Sequence, residues 1–426
     1  MIRILKCGEV ADGDILARAI PAADVGDVVA EIIADVRENG DAALKKYAEK
    51  FDGARLEALA VTPAEIEAAV AQVAPEFLGI LEKAAGNIRA FHSRQLRNGF
   101  IINDEPGVVV GQKVIPMDRA GVYVPGGTAA YPSTVLMDLI PAKIAGVREI
   151  IMTTPPRRDG SVDPAILAAA RVAGADRIFK SGGAQAIAAL AYGTESVPRV
   201  DKIVGPGNAF VAEAKKQVFG AVSIDMIAGP SEILVIADGR TNPRWCAADL
   251  LAQADHDRMA SAVLITDSMA LARAVQAEIE RQLPELERSE IARAAIENNG
   301  KIIVADTLAK AVEIANAIAP EHLELCVDAP FDYLDGIRHA GSVFLGRHCP
   351  EALGDYFAGP NHTLPTGGTA RFSSPLSVDD FVKKSQYIYY TRAALRKAAP
   401  DVAGFARREG LTGHARSVLS RMEEKQ

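Results

Sequence analysis

The chain lacks the marks of several large protein classes. Its 426 residues include only four cysteines, Cys7, Cys246, Cys326 and Cys349, and no two of them stand in CxxC spacing. Scattered thiols of this kind exclude a disulfide framework and a cysteine-ligated zinc module, and they fit a reducing compartment, the cytoplasm. No run of about 18 apolar residues occurs, so no membrane span is expected. The opening residues, Met1 to Cys7, have neither a long apolar region nor a small-residue cleavage site, so no secretory signal is expected. A net charge of −8 disfavours a protein that grips phosphate backbones, so no nucleic-acid partner is expected. Low-complexity segments and fixed-period repeats are missing as well. What remains is a chain with 49% hydrophobic and 24% charged residues, enough to bury the cores of about two or three domains.

Residues 24–96 read as helices. Thr62-Pro63-Ala64-Glu65 opens one of them: Thr62 can cap, Pro63 suits the first helical position, and Glu65 can reach back to complete a capping box. Val61 and Ile66 are spaced for a hydrophobic staple. A further helical run covers about Pro75 to Leu96. From Gly107 the period changes. Val108–Val110 and Val114-Ile115 look like strands, and Gly121 to Gly127 reads as a strand ending in a tight glycine turn. Helix Ser133–Ala145, strand Glu149–Met152, helix Pro164–Ala173 and strand Asp176–Phe179 follow. Then come Gly182-Gly183, helix Ala184–Ala191, strand Lys202–Val204, Gly205-Pro206-Gly207 and helix Asn208–Gln217. Strand, glycine turn and helix recur three times, which predicts a parallel α/β sheet. Each glycine turn offers backbone N–H groups to an anion or a flat ligand. None matches GxGxxG, since Phe210 stands where the third glycine of Gly205-Pro206-Gly207-Asn208-Ala209 would fall.

A second α/β region follows. Its expected strands are Ala221–Met226, Glu232–Ala237, Ala262–Thr266, Lys301–Ala305, a strand beginning at Glu321-His322, and Gly341–Leu345. Its expected helices are Pro243–Gln253, Ser268–Leu283, Glu290–Asn298, Leu308–Ile318 and Phe331–His339. Periodicity then stops from His348 to Pro375, a stretch too long to be an ordinary connection. The tail has a short strand near Tyr387–Tyr390 and helices over Ala393–Glu409 and Thr412–Glu423.

The chemistry is concentrated around Ala319-Pro320-Glu321-His322-Leu323, where a helical pattern ends and an alternating strand begins. A carboxylate beside an imidazole suits proton transfer near neutral pH. Gln253 with His256, then Asp355, His362, and Glu409 with His414 complete a polar set. Imidazole, carboxylate and amide oxygen suit zinc or a similar divalent ion. HExxH is absent, and its inverted form fails because Ile318 stands where the first His would be. Groups spread over about 160 residues leave a metal site and a purely structural role both open at this level.

Taken in order, several segments resemble one family. They are Val122-Tyr123-Val124-Pro125-Gly126-Gly127, Gly182-Gly183-Ala184-Gln185-Ala186, Gly205 to Ala209 and Ala228-Gly229-Pro230-Ser231-Glu232. The series continues with Gln253-Ala254-Asp255-His256, Pro320 to Leu323, Gly359-Pro360-Asn361-His362-Thr363-Leu364-Pro365 and Glu409-Gly410-Leu411-Thr412-Gly413-His414. Together they make nearly the whole chain similar to the histidinol dehydrogenases, zinc- and NAD-dependent enzymes of the last steps of histidine biosynthesis. Some members have Thr where Pro360 stiffens this loop.

The resemblance implies two incomplete Rossmann-like domains with parallel sheets flanked by helices, a helical N-terminal segment and a small C-terminal helical extension. The expected division is 1–121 with 232–375, carrying zinc and catalytic residues, 122–231 on the NAD side, and 376–426 as an extension on a partner subunit. It implies one Zn2+ per subunit held by Gln253, His256, Asp355 and His414, the last from the partner in an intertwined homodimer. Glu321 would activate water and His322 would be the main base. Ser231, His362 and Glu409, with the zinc ligands and His322, would contact L-histidinol. Tyr123, Gln185 and Asn208 would contact NAD. A relative oxidising another small polar alcohol, a zinc hydrolase without nicotinamide, and a catalytically inert scaffold are the competing readings. Glu409 favours a cationic substrate, the glycine turns disfavour the hydrolase, and the intact set of reactive residues disfavours the scaffold.

Overall fold

The computed structural model describes residues 1–18, 25–126 and 130–423. Gly127, in the first glycine turn, and Asp24, at the start of the expected helical stretch, lie outside the described residues. The chain forms two units, Met1–Gln95 with Met117–Phe381, and Leu96–Pro116 with Val382–Gln426.

The larger unit holds two parallel sheets. Across the first, the strands run Arg3–Lys6, Lys301–Val304, Ser261–Thr266, Glu232–Ala237, His322–Cys326 and Ser342–Leu345. Across the second they run Arg177–Lys180, Glu149–Thr154, Arg119–Tyr123, Lys202–Val204 and Ser223–Ile224. Apart from the added N-terminal strand, both sheets have the order 3-2-1-4-5 in their own chain sequence, the order of a Rossmann half. The central strands are buried on both faces. Ile233, Val235 and Ala237 enter one core and Leu234 and Ile236 the other, as the period of two requires. The glycine turns after Tyr123 and Val204 flank the point where the order of the second sheet reverses.

Four expectations are corrected. First, Val108–Val110 and Val114-Ile115 are one strand, Val108–Pro116, paired antiparallel along its whole length with Val382–Tyr390. Second, the helix after Pro330 covers only Phe331–Leu334, and its next turn tightens at Gly336. Third, only Ser223–Ile224 of the stretch Ala221–Met226 is strand. Fourth, the irregular stretch from His348 contains the helix Glu351–Tyr356.

Strand Arg119–Tyr123 spans the expected boundary at 121 and belongs wholly to the second sheet. Helices Gly26–Tyr47, Pro63–Val70 and Pro75–His92 pack on helices of that sheet, Gly183–Tyr192, Pro164–Ala173 and Pro132–Ala145. The capping box at Thr62 and Glu65 is present in both directions. The smaller unit joins the antiparallel sheet to helices Arg392–Arg408 and Thr412–Glu423, whose contact is made by Ala403, Ala406, Ala415 and Leu419. Among the described residues, no helix is long and apolar enough to cross a membrane.

Candidate active site

Strands Glu232–Ala237 and His322–Cys326 are neighbours, with His322 opposite Ile233. Their amino ends therefore bring Ser231 and Glu232 beside Glu321 and His322. The junction before Glu321 is fixed by backbone chemistry. Thr307 caps helix Leu308–Ile318, which ends at Ala319 in the left-handed region with φ 53°. Ala319 is the sole non-glycine residue with positive φ among the described residues. Pro320 then prevents the helix from continuing.

Glu321 Oε2 accepts the backbone N–H of Glu232 at 2.8 Å. Its carboxyl is buried, and burial pushes its pKa up to about 7, against the opposing pull of His322. His322 Nδ1 lies 3.1 Å from the carbonyl oxygen of Glu232. A carbonyl can only accept, so Nδ1 carries a proton, and Nε2 is the nitrogen free to exchange its proton with a substrate. Nδ1 is also 3.4 Å from Glu351 Oε1, and Nε2 is 3.4 Å from Asp355 Oδ1. Burial alone would depress this imidazole. The carboxylates of Glu351, Glu321 and Asp355 outweigh that and hold it well above the usual histidine range.

Gln253 is fully buried in the last turn of helix Pro243–Ala254. Its amide satisfies both neighbours when nitrogen faces Glu351 Oε1 at 2.8 Å and oxygen faces the N–H of Glu232 at 3.0 Å. The helix ends before His256, so the two do not share a helical face. A single backbone bond from the N–H of His256 to the carbonyl of Gln253, 3.2 Å, continues the turn to an exposed His256. His362 Nδ1 faces the carbonyl of Asp355 at 3.0 Å and Nε2 faces Thr134 Oγ1 at 3.3 Å. Its loop is fastened to the helix after the first glycine turn, since Asn361 donates to the carbonyl of Met137 and Thr363 to Asp138. Ser231 stands half-buried at the head of its strand. Glu409 and His414 belong to the smaller unit, both exposed, at the junction of its two helices.

The three residues expected on the cofactor side sit in the glycine turns. The Tyr123 hydroxyl accepts the N–H of Gly183 at 3.1 Å. Gln185 is buried, and a Cβ added to Gly183 would lie 2.8 Å from its Oε1. Asn208 caps helix Ala209–Val218 by accepting the N–H groups of Phe210 and Val211. Gly205, at φ 117°, passes so close to the carbonyl of Tyr123 that a Cβ would meet it at 2.0 Å. Any side chain there would clash with that backbone and force the two turns apart.

A histidinol dehydrogenase family model matches residues 17–422. The chain is 56% identical to the histidinol dehydrogenase of Syntrophotalea carbinolica over the whole of both chains. It is 53% identical to that of Clostridium acetobutylicum, covering 99% of each. The crystal structure of histidinol dehydrogenase from Elizabethkingia anophelis superposes with a TM-score of 0.94 at 39% identity, covering 99% of this chain and 98% of the other.

The chain belongs to the histidinol dehydrogenase family.

Histidinol dehydrogenases are oxidoreductases, and a cluster of cation-ligand side chains stands beside the pair, in which Asp355 is the one member of the expected ligand set. One ligand atom each from His322, Glu351 and Asp355 lies within 4.8 Å of the others. Glu351 Oε2 is buried without a hydrogen-bond partner, as a group awaiting a ligand would be. Two residues near the pair were given no role by the sequence. Glu232 acts through its backbone N–H and carbonyl, which leave no trace in residue type. Glu351 is buried, and burial pushes its carboxyl up to about 8. Its N–H donates to the buried Glu324 at 2.7 Å. Its spacing of four from Asp355 was the available sign, because residues i and i+4 share a helix face.

Proposed function

We propose that this chain oxidises L-histidinol to L-histidine through L-histidinaldehyde, with two NAD, in the last steps of histidine biosynthesis. The observation that carries the reading is the buried Glu321–His322 pair, two adjacent groups poised for proton transfer beside a cluster of cation-ligand side chains.

His322 Nε2 takes the proton of the substrate alcohol in the first oxidation. The backbone carbonyl of Glu232 keeps the other ring nitrogen protonated and so holds the tautomer. Glu321 takes a proton from the water that adds to the aldehyde carbon, which prepares the hydrate for the second oxidation. A carboxyl raised to about 7 is matched to that task near neutral pH. Ser231, His362 and Glu409 would contact the substrate, and the carboxylate of Glu409 favours a cationic group on it. Tyr123, Gln185 and Asn208 would contact NAD, which would supply the hydride acceptor. Gln253, His256 and Asp355, with His414 from a second copy in an intertwined homodimer, would hold Zn2+, which would supply orientation and polarisation of the substrate. The reading places the enzyme in the cytoplasm.

The test is the yield of NADH per L-histidinol consumed, with and without a zinc chelator. Two NADH per histidinol, lost on chelation and restored by zinc, is the expected result. Failure to turn over histidinol, with activity on another alcohol, would replace the substrate. Turnover without any change in nicotinamide absorbance would overturn the dehydrogenase reading.

A further inference from the structure

Arg18 stands outside every motif quoted above, yet it reaches both segments that set the Glu321–His322 pair. Its Nη1 pairs with Glu232 Oε1 at 2.5 Å. Its Nη2 donates to the carbonyl of Ile318 and, at 3.2 Å, to that of Ala319. These carbonyls are the last of helix Leu308–Ile318, which Pro320 leaves without a following turn to satisfy them. A guanidinium there also meets the negative end of the helix dipole. Ala319 is fully buried and holds the left-handed conformation immediately before Pro320-Glu321-His322. Glu232 gives its N–H to Glu321 and its carbonyl to His322. One planar, forked cation thus joins the strained residue before the pair to the residue that hydrogen-bonds both members of it. The segment carrying Arg18 is itself anchored, because buried Lys301 donates to the carbonyls of Ile15 and Ala17 at 2.6 and 2.7 Å.

We propose that Arg18 is a positioning residue for the histidinol reaction, clamping the Ala319 turn and Glu232 so that Glu321 and His322 are held in their reactive orientation. The inference rests on the reading of Glu321 and His322 given above. Lysine cannot replace this clamp, since one ammonium lacks the fork that spans a carboxylate and two carbonyls.

The experiment compares Arg18→Ala, Arg18→Lys, Glu321→Gln and His322→Asn in the zinc-loaded, full-length protein. It measures kcat and KM for L-histidinol, zinc per subunit and melting temperature. Arg18→Ala should lose kcat on the order of 100-fold, the scale of a misplacement of about 1 Å at a reacting group. KM and zinc content should stay near wild type. Arg18→Lys should lose on the order of 10-fold, and added guanidinium ion should restore part of the kcat of Arg18→Ala but none of that of Glu321→Gln. A kcat per folded subunit within about twofold of wild type in Arg18→Ala, or in Arg18→Lys should the alanine variant not fold, would overturn the proposal. So would loss of zinc in step with kcat. If Glu321→Gln and His322→Asn themselves turn over histidinol normally, the site reading fails and this inference with it. If those two are inactive while Arg18→Ala is not, the positioning role alone fails.

Discussion

Asp138 should make the enzyme less stable as pH rises through neutrality, and Asp138→Asn should abolish that dependence. The side chain is completely buried in helix Pro132–Ala145 and accepts the Thr363 hydroxyl at 2.7 Å on one oxygen. Its other oxygen has no partner. Burial pushes the carboxyl up to about 8; the Thr363 bond and Lys215 pull against it, while Asp225 adds to it. An unfolded carboxyl titrates near ~3.9, so between about pH 4 and pH 8 the folded protein keeps a proton that the unfolded chain has lost. Stability is therefore fully supported at low pH, falls by about 1.4 kcal/mol for each pH unit through that window, and levels off above it. At pH 7 the cost reaches about 4 kcal/mol relative to a side chain that never ionises.

Asparagine can still accept the Thr363 hydroxyl, and it does not titrate. The absolute offset between the two proteins depends on whether the new N–H finds an acceptor, but the slope does not. Equilibrium urea unfolding of both proteins from pH 5 to pH 9 isolates that slope, since every other titrating group cancels in the difference. The advantage of Asp138→Asn should grow by roughly 3 to 4 kcal/mol between pH 5 and pH 8 and then stay constant. Parallel curves over that range would show that Asp138 is ionised in the fold, paired with Lys215, and would refute the reasoning.

Three further outcomes are expected. His322→Asn should lower the rate of histidinol oxidation by at least about 100-fold in a stopped-flow or steady-state assay, the usual range for a lost general base; near-normal turnover would remove His322 from that role. His414→Ala should reduce zinc per subunit measured by atomic absorption, and unchanged occupancy would exclude it from the ligand set. Thr62→Ala should lower stability by about 1 kcal/mol in urea unfolding, because it removes the cap and one half of the capping box of helix Pro63–Val70; an unchanged midpoint would show that packing on helix Pro164–Ala173 already fixes that end.

Elements with strong local punctuation were legible in the sequence. Helix Leu308–Ile318 and strand Glu232–Ala237 fall where period and flanking residues put them, because Thr307, Pro320 and the Gly229-Pro230 turn act within a few residues. Helix Glu351–Tyr356 was not legible. It has six residues, a glycine at position 354 and a buried acid at its start, so no apolar period forms. The pairing of Val108–Pro116 with Val382–Tyr390 was equally hidden, since the partners lie far apart in sequence and register is set only when they meet. In the site, Glu321 and His322 were visible because they are reactive types side by side. Glu232 was not, because it acts through a backbone N–H and carbonyl that every residue possesses, nor was Arg18, whose guanidinium meets partners more than 200 residues away in sequence.

The two sheets share one strand order but use opposite ends of it, and the electrostatics of helices explain the division of labour. In a parallel sheet each crossover helix runs against the strands. Helix amino ends therefore gather at the carboxyl edge of the strands, and helix carboxyl ends gather at the amino edge. In the second sheet the glycine turns after Tyr123 and Val204 lie at the carboxyl edge, where helix N–H groups and positive dipole ends favour anions such as a dinucleotide pyrophosphate. In the first sheet Ser231, Glu321 and His322 lie at the amino edge, beside the carboxyl ends of helices Pro243–Ala254 and Leu308–Ile318. That edge presents carbonyls and negative dipole ends, which favour cations. Arg18 is already drawn there, bound to the carbonyls of Ile318 and Ala319. A metal ion and a substrate with an ammonium group suit the same field. The usual rule places ligands outside the carboxyl ends of the strands. On the function proposed above, the nucleotide side would follow it, and the substrate side would depart from it because its ligands carry the opposite charge.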